Sequence, residues 1–229
     1  MKAVIFCGGF ATRFNNGKPG PLKPLIKVNK ISILERIIKI YLSKSVKEFI
    51  LLGGYKYFAL NKFAKKLKSK LNISINVINT GKNTPTGGRL LKVKNLLKDT
   101  NFYLTYGDSL ANFNPLKALR LKNKKNFIIS TYKYRIEYGV LIFKKDAIVN
   151  KIYEKNYFTY INAGYYIFDY SIFDYIKSHN DSLEKDVLSR ILNSSKKIRI
   201  YRVTRWSPMD NSNDKEIINN ILSKNKNFF

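Results

Sequence analysis

Short β-branched or aromatic runs alternate with longer amphipathic stretches along this chain, the rhythm of βαβ units wound about a largely parallel sheet. Strands are expected at 2–6, 48–53, 73–78, 102–106, 127–133, 138–143, 161–168 and 198–203. Helices are expected between them, at 32–44, 56–70, 86–98, 114–122, 170–178, 182–193 and 213–225. The first of these is the best marked. Ser32 stands as N-cap with Glu35 three residues on in capping-box spacing, and Ile33, Leu34, Ile37, Ile38 and Tyr41 share one face. No internal repeat or low-complexity linker interrupts the alternation, so the 229 residues, 45% of them hydrophobic, are read as a single α/β domain spanning 1–229. Its sheet is expected to be mixed but mostly parallel, flanked by helices.

The alternation breaks at 15–24, NNGKPGPLKP, where three prolines and two glycines demand an irregular loop. That loop follows the first strand, at the carboxyl end of a parallel sheet, where open α/β folds bind ligands. Lys+Arg 43 against Asp+Glu 15 gives a formal charge of +28, which suits an anionic partner. The lysines are spread over the whole chain and not gathered in a block, which favours small anionic substrates and argues against nucleic acid. Cys7 is the single cysteine, so neither an intramolecular disulfide nor a multi-cysteine metal site is expected, and a reducing, cytoplasmic setting fits. No run of about 18 apolar residues is present to span a membrane, and the apolar run at 3–6 is too short for a signal-peptide core. His179, the only histidine, lies in the polar segment KSHNDS and is read as a solvated loop residue.

Candidate chemistry collects at strand and loop ends. Gly8 and Gly9, directly after the first strand, let backbone N–H groups approach a phosphate closely, although a Gly-Gly pair alone is an ordinary turn. Thr12-Arg13 and then Lys23 add a fixed planar cation and a mobile point charge; out of context, Lys23 is one solvated lysine among 43 basic residues. In TGKNTPTGGRL, 80–90, Gly87, Gly88 and Arg89 open a helix, where free N–H donors and the dipole favour an anion or a base carbonyl. The plain alternative is a helix start after a Pro85 turn. Asp108 follows the strand FYLTY through Gly107, and Asp210 follows Pro208 in PMDN. Either alone reads equally as a turn aspartate. Brought to one loop face, the two could share a Mg²⁺ that also takes phosphate oxygens.

In the order GG, TR, KP, then TG and TGGRL, then GD and PMD, these segments resemble the sugar-1-phosphate nucleotidyltransferases, most closely the glucose-1-phosphate cytidylyltransferases, over nearly the whole chain. The resemblance implies a Rossmann-like fold of the nucleotide-diphospho-sugar transferase type. It also implies a reaction in which the phosphate of a sugar 1-phosphate attacks the α-phosphate of an NTP, with Mg²⁺ as cofactor; the TGKNTPTGGRL match points to CTP. A sugar phosphate is already a nucleophilic anion near neutral pH, so positioning and charge neutralisation suffice without a covalent intermediate.

By the same resemblance, Arg13 holds the triphosphate, Lys23 contacts the α-phosphate, and Asp108 and Asp210 ligate the metal. The implied nucleotide-binding residues are Phe6, Cys7, Gly8, Gly9, Phe10, Ala11, Thr12, Arg13 and Lys23, joined by Thr80, Thr84, Gly87, Gly88 and Gly107. Ala11 stands where the family usually has glycine. For the sugar phosphate the implied residues are Arg89, Gly139, Glu154 and Lys155 of an EKP-like pair, and Asn162 of the NGG-like Asn162-Ala163-Gly164. Glu184 and Asp186 in SLEKDVL match an acidic helix start of many relatives and read equally as a complement to the helix dipole. Two alternatives stay open: a guanylyl- or uridylyltransferase of the same fold acting on another phosphorylated acceptor, and, from a different class, a basic RNA-binding protein. A homo-oligomer is compatible with the resemblance.

Overall fold

A computed structural model spans residues 1–229 and describes all of them except Asn16, Asp99 and Asp146 and the side chains of Arg13 and Asn15. The elements run β1 (Lys2–Phe6), β2 (Lys27–Val28), β3 (Ile31–Ser32), α1 (Ile33–Leu42), β4 (Glu48–Gly53), α2 (Tyr57–Leu71), β5 (Ser74–Asn79) and α3 (Thr86–Leu91). They continue with β6 (Phe102–Tyr106), β7 (Ser109–Ala111), α4 (Pro115–Leu119), β8 (Asn126–Ile136), β9 (Val140–Phe143), β10 (Val149–Tyr153) and β11 (Tyr157–Phe168). The last are α5 (Leu188–Leu192), β12 (Lys197–Val203), β13 (Trp206–Pro208) and α6 (Ser212–Lys224).

Seven strands form the central sheet in the order β12-β8-β11-β6-β1-β4-β5. Every neighbouring pair is parallel except those of β11, which runs antiparallel to both β6 and β8. The mixed, mostly parallel α/β sheet expected from the sequence is therefore present. β1 shows why its sequence is a continuous apolar run. Ala3 and Ile5 enter the cluster under α1, α2 and α6, while Val4 and Phe6 enter the cluster under Leu90, Val93, Phe173 and Val187, so both faces are covered.

α1 forms where the periodicity places it, and the Ser32 hydroxyl accepts from the Glu35 N–H at 3.1 Å. The Glu35 carboxylate, however, turns to Lys39 and Lys70 at 3.0 and 2.8 Å, so only half of the expected capping box forms. A complete box occurs instead at α6, between Asn211 and Asp214. The helix expected at 86–98 ends at Leu91 and gives way to a 3₁₀ turn, Lys94–Leu97, and that at 170–178 is a 3₁₀ turn, Tyr170–Tyr175. Segment 170–175, YSIFDY, is rich in aromatic and β-branched residues that disfavour the α-helix, and Asp169 accepts from Ser171 N at 3.0 Å in a local turn.

β11 begins at Tyr157, ahead of the expected strand at 161–168, because its first half pairs with β8 beyond the core, Tyr157 opposite Ile136. From that extension projects the β9–β10 hairpin, where Phe143 is 64% and Ile152 68% exposed. Among the described residues no helix is long and apolar enough to cross a membrane.

Candidate functional site

The loops that leave β1 and β6 at their carboxyl ends, together with 82–86 and Arg89, enclose a cavity of about 420 Å³. Its wall includes Phe6, Cys7, Gly8, Gly9, Phe10, Ala11, Thr12, Lys23, Thr84, Arg89, Gly107 and Asp108 among the residues singled out from sequence. The loop after β1 is held open by its own backbone: Phe14 N donates to Ala11 O at 3.0 Å, and Gly20 N to Phe10 O at 2.9 Å. Ala11 adopts φ +54°, the left-handed region that a glycine would enter without a Cβ penalty. Arg13 lies in the 3₁₀ turn Thr12–Asn15, and its side chain falls outside the described residues.

A second cavity of about 310 Å³ adjoins the first, and the two share Tyr106 and Asp108. Asn162, Glu184, Trp206 and Asp210 complete its wall with Ser109, Ala163, Gly164 and Pro208. Asp108 and Asp210 meet because β7 pairs antiparallel with β13, Ser109 opposite Pro208, and because Met209 N donates to Asp108 O at 2.8 Å. The residue before β7 and the loop after β13 are thereby pinned side by side. Between the two carboxylates sits the Lys23 ammonium, 2.6 Å from Asp210 Oδ1 and 3.4 Å from Asp108 Oδ2, with its side chain 9% exposed. Asp210 is further fixed through its backbone N–H, which donates to Asp214 Oδ2 of α6 at 2.7 Å.

Two carboxylates that converge on one cation form a donor set of the kind a hard divalent ion uses, since Mg²⁺ takes one or two carboxylates and completes its octahedron with water and phosphate oxygens. Among the described residues no group of three or more His, Cys, Asp or Glu side chains gathers into a softer or richer ligand set. The residues present therefore fit a Mg²⁺ held by Asp108 and Asp210.

Arg89 sits differently from the expectation that it approaches the sugar phosphate. It is 6% exposed, and its guanidinium donates to the carbonyl oxygens of Gly53, Gly8 and Lys82, each at 3.1 Å, and to Thr80 Oγ1 at 2.6 Å. It lines the larger cavity but not the smaller one. Burial lowers its pKa. The planar fork thus ties the ends of β1, β4 and β5 together, and Gly8 must lack a side chain because a Cβ there would lie 2.2 Å from Arg89 Nη1. Arg89→Met takes one buried hydrogen bond each from Gly53 O, Gly8 O and Thr80 Oγ1 and the side-chain donor from Lys82 O, so a loss of about 3 kcal/mol is expected in urea unfolding. Arg89→Lys should recover only part of it, because one ammonium cannot reproduce the fork. Unchanged unfolding with lost activity would instead make Arg89 a substrate contact.

Other expectations divide in the same way. Thr80 is fully buried, donates to Gly53 O at 2.6 Å and receives Arg89, so it lies behind the cavity wall. Gly87 and Gly88 open α3 but face the loop at 179–181: a Cβ on Gly88 would stand 1.9 Å from His179 O. Close backbone approach by itself requires a glycine there. Glu154 and Lys155 occupy the exposed turn between β10 and β11, with Gly139 against Glu154, and none of the three lines either cavity. Asn162 does line the smaller one; its Nδ2 donates to Tyr166 Oη at 2.6 Å and its Oδ1 accepts from Gly164 N at 2.9 Å.

Glu184 and Asp186 separate into two roles. Asp186 accepts from Ser182 N at 2.7 Å, the dipole complement that the sequence allowed. Glu184 instead reaches the smaller cavity, accepts from the Tyr106 hydroxyl and from Thr86 Oγ1 at 3.2 Å, and has its pKa raised by burial. Tyr106, Lys82, Asn83 and Trp206 also line the cavities without having been singled out. Tyr106 was the most findable, since it stands directly before Gly107-Asp108 at a strand end.

Known proteins resemble this chain over most of its length. The chain is 29% identical to the probable glucose-1-phosphate cytidylyltransferase of Bacillus subtilis (strain 168), over 92% of this chain and 91% of that one. It is 28% identical to the mannose-1-phosphate guanylyltransferase catalytic subunit beta of Dictyostelium discoideum, over 82% of this chain and 55% of that one. Its fold superposes with a TM-score of 0.77 on the crystal structure of HddC from Yersinia pseudotuberculosis complexed with GMP-PN, at 21% identity, over 96% of this chain and 99% of that one. The family model for nucleotidyl transferase matches residues 2–207, which span all seven strands of the central sheet, and the chain belongs to that family, as a sugar-1-phosphate nucleotidyltransferase.

Proposed function

We propose that this protein transfers a cytidylyl group from CTP to a sugar 1-phosphate, giving a CDP-sugar and pyrophosphate. The observation that carries the reading is the pair of adjoining cavities that share Tyr106 and Asp108, with the Lys23 ammonium at their junction between Asp108 and Asp210. The larger cavity suits the nucleotide and the smaller one the sugar phosphate. An oxygen of the sugar phosphate bonds to the α-phosphorus, the bond from that phosphorus to the α–β bridging oxygen breaks, and the electron pair leaves with pyrophosphate. No proton has to be moved for the step to balance.

The chain's own part is to align the two anions and to offset their charge. The loop N–H groups at Gly8 and Gly9 border the space for the phosphates, and Lys23, on a flexible stem, can serve the α-phosphate from where it stands. Arg13 is assigned to the triphosphate on its place in the same loop. Asp108 and Asp210 would hold Mg²⁺, which when bound supplies Lewis-acid neutralisation of the phosphate oxygens. Glu184, with Tyr106 and Thr86 fixed on its carboxylate, and Asn162 are the polar groups available to sugar hydroxyls.

The cytidine preference rests on the TGKNTPTGGRL segment and on the cytidylyltransferase relative. A guanylyl reading is favoured instead by the guanylyltransferase relative. Pyrophosphate release measured with CTP, GTP, UTP, ATP and dTTP against a panel of sugar 1-phosphates separates them, with CTP expected to be the fastest by about tenfold or more. In parallel, CTP with Mg²⁺ should raise the melting temperature more than the other four nucleotides. Preferential turnover and stabilisation by GTP would establish the second reading, and no release with any pair would overturn both.

A further inference from the structure

The end of the sheet opposite the two cavities carries a third, of about 520 Å³, bordered by the segments that precede β6, β8 and β12 and by the segment that follows antiparallel β11. β6 alone separates it from Asp108: five residues, about 17 Å at the rise of a strand. Lys122 and Lys196 line it with side chains only 3% and 12% exposed. Both ammoniums reach one oxygen, Asp169 Oδ2, at 2.6 and 3.2 Å, and that of Lys196 also donates to Lys124 O at 2.8 Å and Ser171 Oγ at 3.0 Å. The other carboxylate oxygen, Oδ1, is occupied by the backbone N–H and hydroxyl of Ser171. Both ammoniums lie over the Phe127 ring, at 5.7 and 4.5 Å from its centroid.

Two cations on one anion leave a positive charge in excess, and Lys124 on the same rim adds to it. Among the described residues Asp169 is the only acidic side chain that lines the cavity. A partly buried charge of this kind is costly unless an anion offsets it. Lys122, whose ammonium has three donors, directs two of them to Asp169 and to Asn123 O at 2.6 Å. Asn101 and Tyr170 add polar side chains to the same wall. We propose that this cavity is a second anion site, separate from the catalytic centre, that takes a phosphate group, either free phosphate or the phosphate of a small monoester.

Inorganic phosphate is the probe, titrated by calorimetry into the intact protein, Lys196→Met, Asp169→Asn and Lys23→Ala. The site predicts about tenfold weaker phosphate binding in Lys196→Met, about tenfold tighter binding in Asp169→Asn, where the competing carboxylate is gone, and one retained phosphate in Lys23→Ala. A purely structural lysine–aspartate–lysine cluster predicts no tightening in Asp169→Asn, and that result overturns the proposal even if Lys196→Met fails to fold. Loss of all phosphate binding in Lys23→Ala would assign the anion to the catalytic centre and overturn it as well. Competition by glucose 1-phosphate for the phosphate retained in Lys23→Ala would extend the site to monoesters, whereas its absence would restrict the site to the free anion. These readouts stand whichever nucleotide the catalytic centre uses.

Discussion

Asp108→Asn and Asp210→Asn should each lower the rate of pyrophosphate release by about 10²–10³ at saturating substrates, the usual loss when one preorganised charge is removed from a site of developing charge. The geometry adds a sharper expectation. Both carboxylates converge on one cation position, held by β7–β13 pairing and by Met209 N on Asp108 O, so they act as a unit. The double variant should be little slower than either single one, because groups that share one ion lose its effect together. Rate losses that multiply, or full activity in EDTA, would show that the two aspartates do not hold a common metal.

Lys23→Ala should slow pyrophosphate release by about 10² or more, since its ammonium is the described cation at the junction of both cavities. It should also change how the protein responds to metal. In the native chain an incoming ion competes with the ammonium that sits 2.6 Å from Asp210 and 3.4 Å from Asp108. Without it, each carboxylate loses the charge-assisted hydrogen bond that the ammonium donates, which lowers stability. The variant should therefore melt below the native protein in EDTA and gain more from millimolar Mg²⁺ than the native protein does. A variant with native turnover would remove Lys23 from the reaction, and an equal Mg²⁺ response in both proteins would detach it from the metal position.

The local features of the site were legible in the sequence because each has a short-range cause. Gly8-Gly9 follows an apolar strand, and Asp108 follows another through Gly107; a strand end at the carboxyl edge of a parallel sheet places both at the ligand face. Ala11, where the family usually has glycine, takes φ +54°, so the alanine adopts the left-handed conformation that a glycine would enter freely. Other residues have a type that suits two tasks. Arg89, Gly87 and Gly88 have the composition of an anion-binding helix start, yet their partners are Gly8, Gly53, Lys82 and the loop at 179–181, all remote in sequence.

The sequence by itself determined the seven strands of the central sheet, the longer helices, and the placement of a glycine loop and one aspartate at the sheet's carboxyl edge, because hydrophobic period and turn chemistry act over a few residues. Only the tertiary structure decided that Asp210 stands beside Asp108, that Lys23 lies between them, and that Glu184 reaches the smaller cavity while Glu154 and Lys155 lie outside both. Those placements depend on which distant strands pair and in which register. Pairing between distant strands is set by burial of the whole core and leaves no local pattern in the chain.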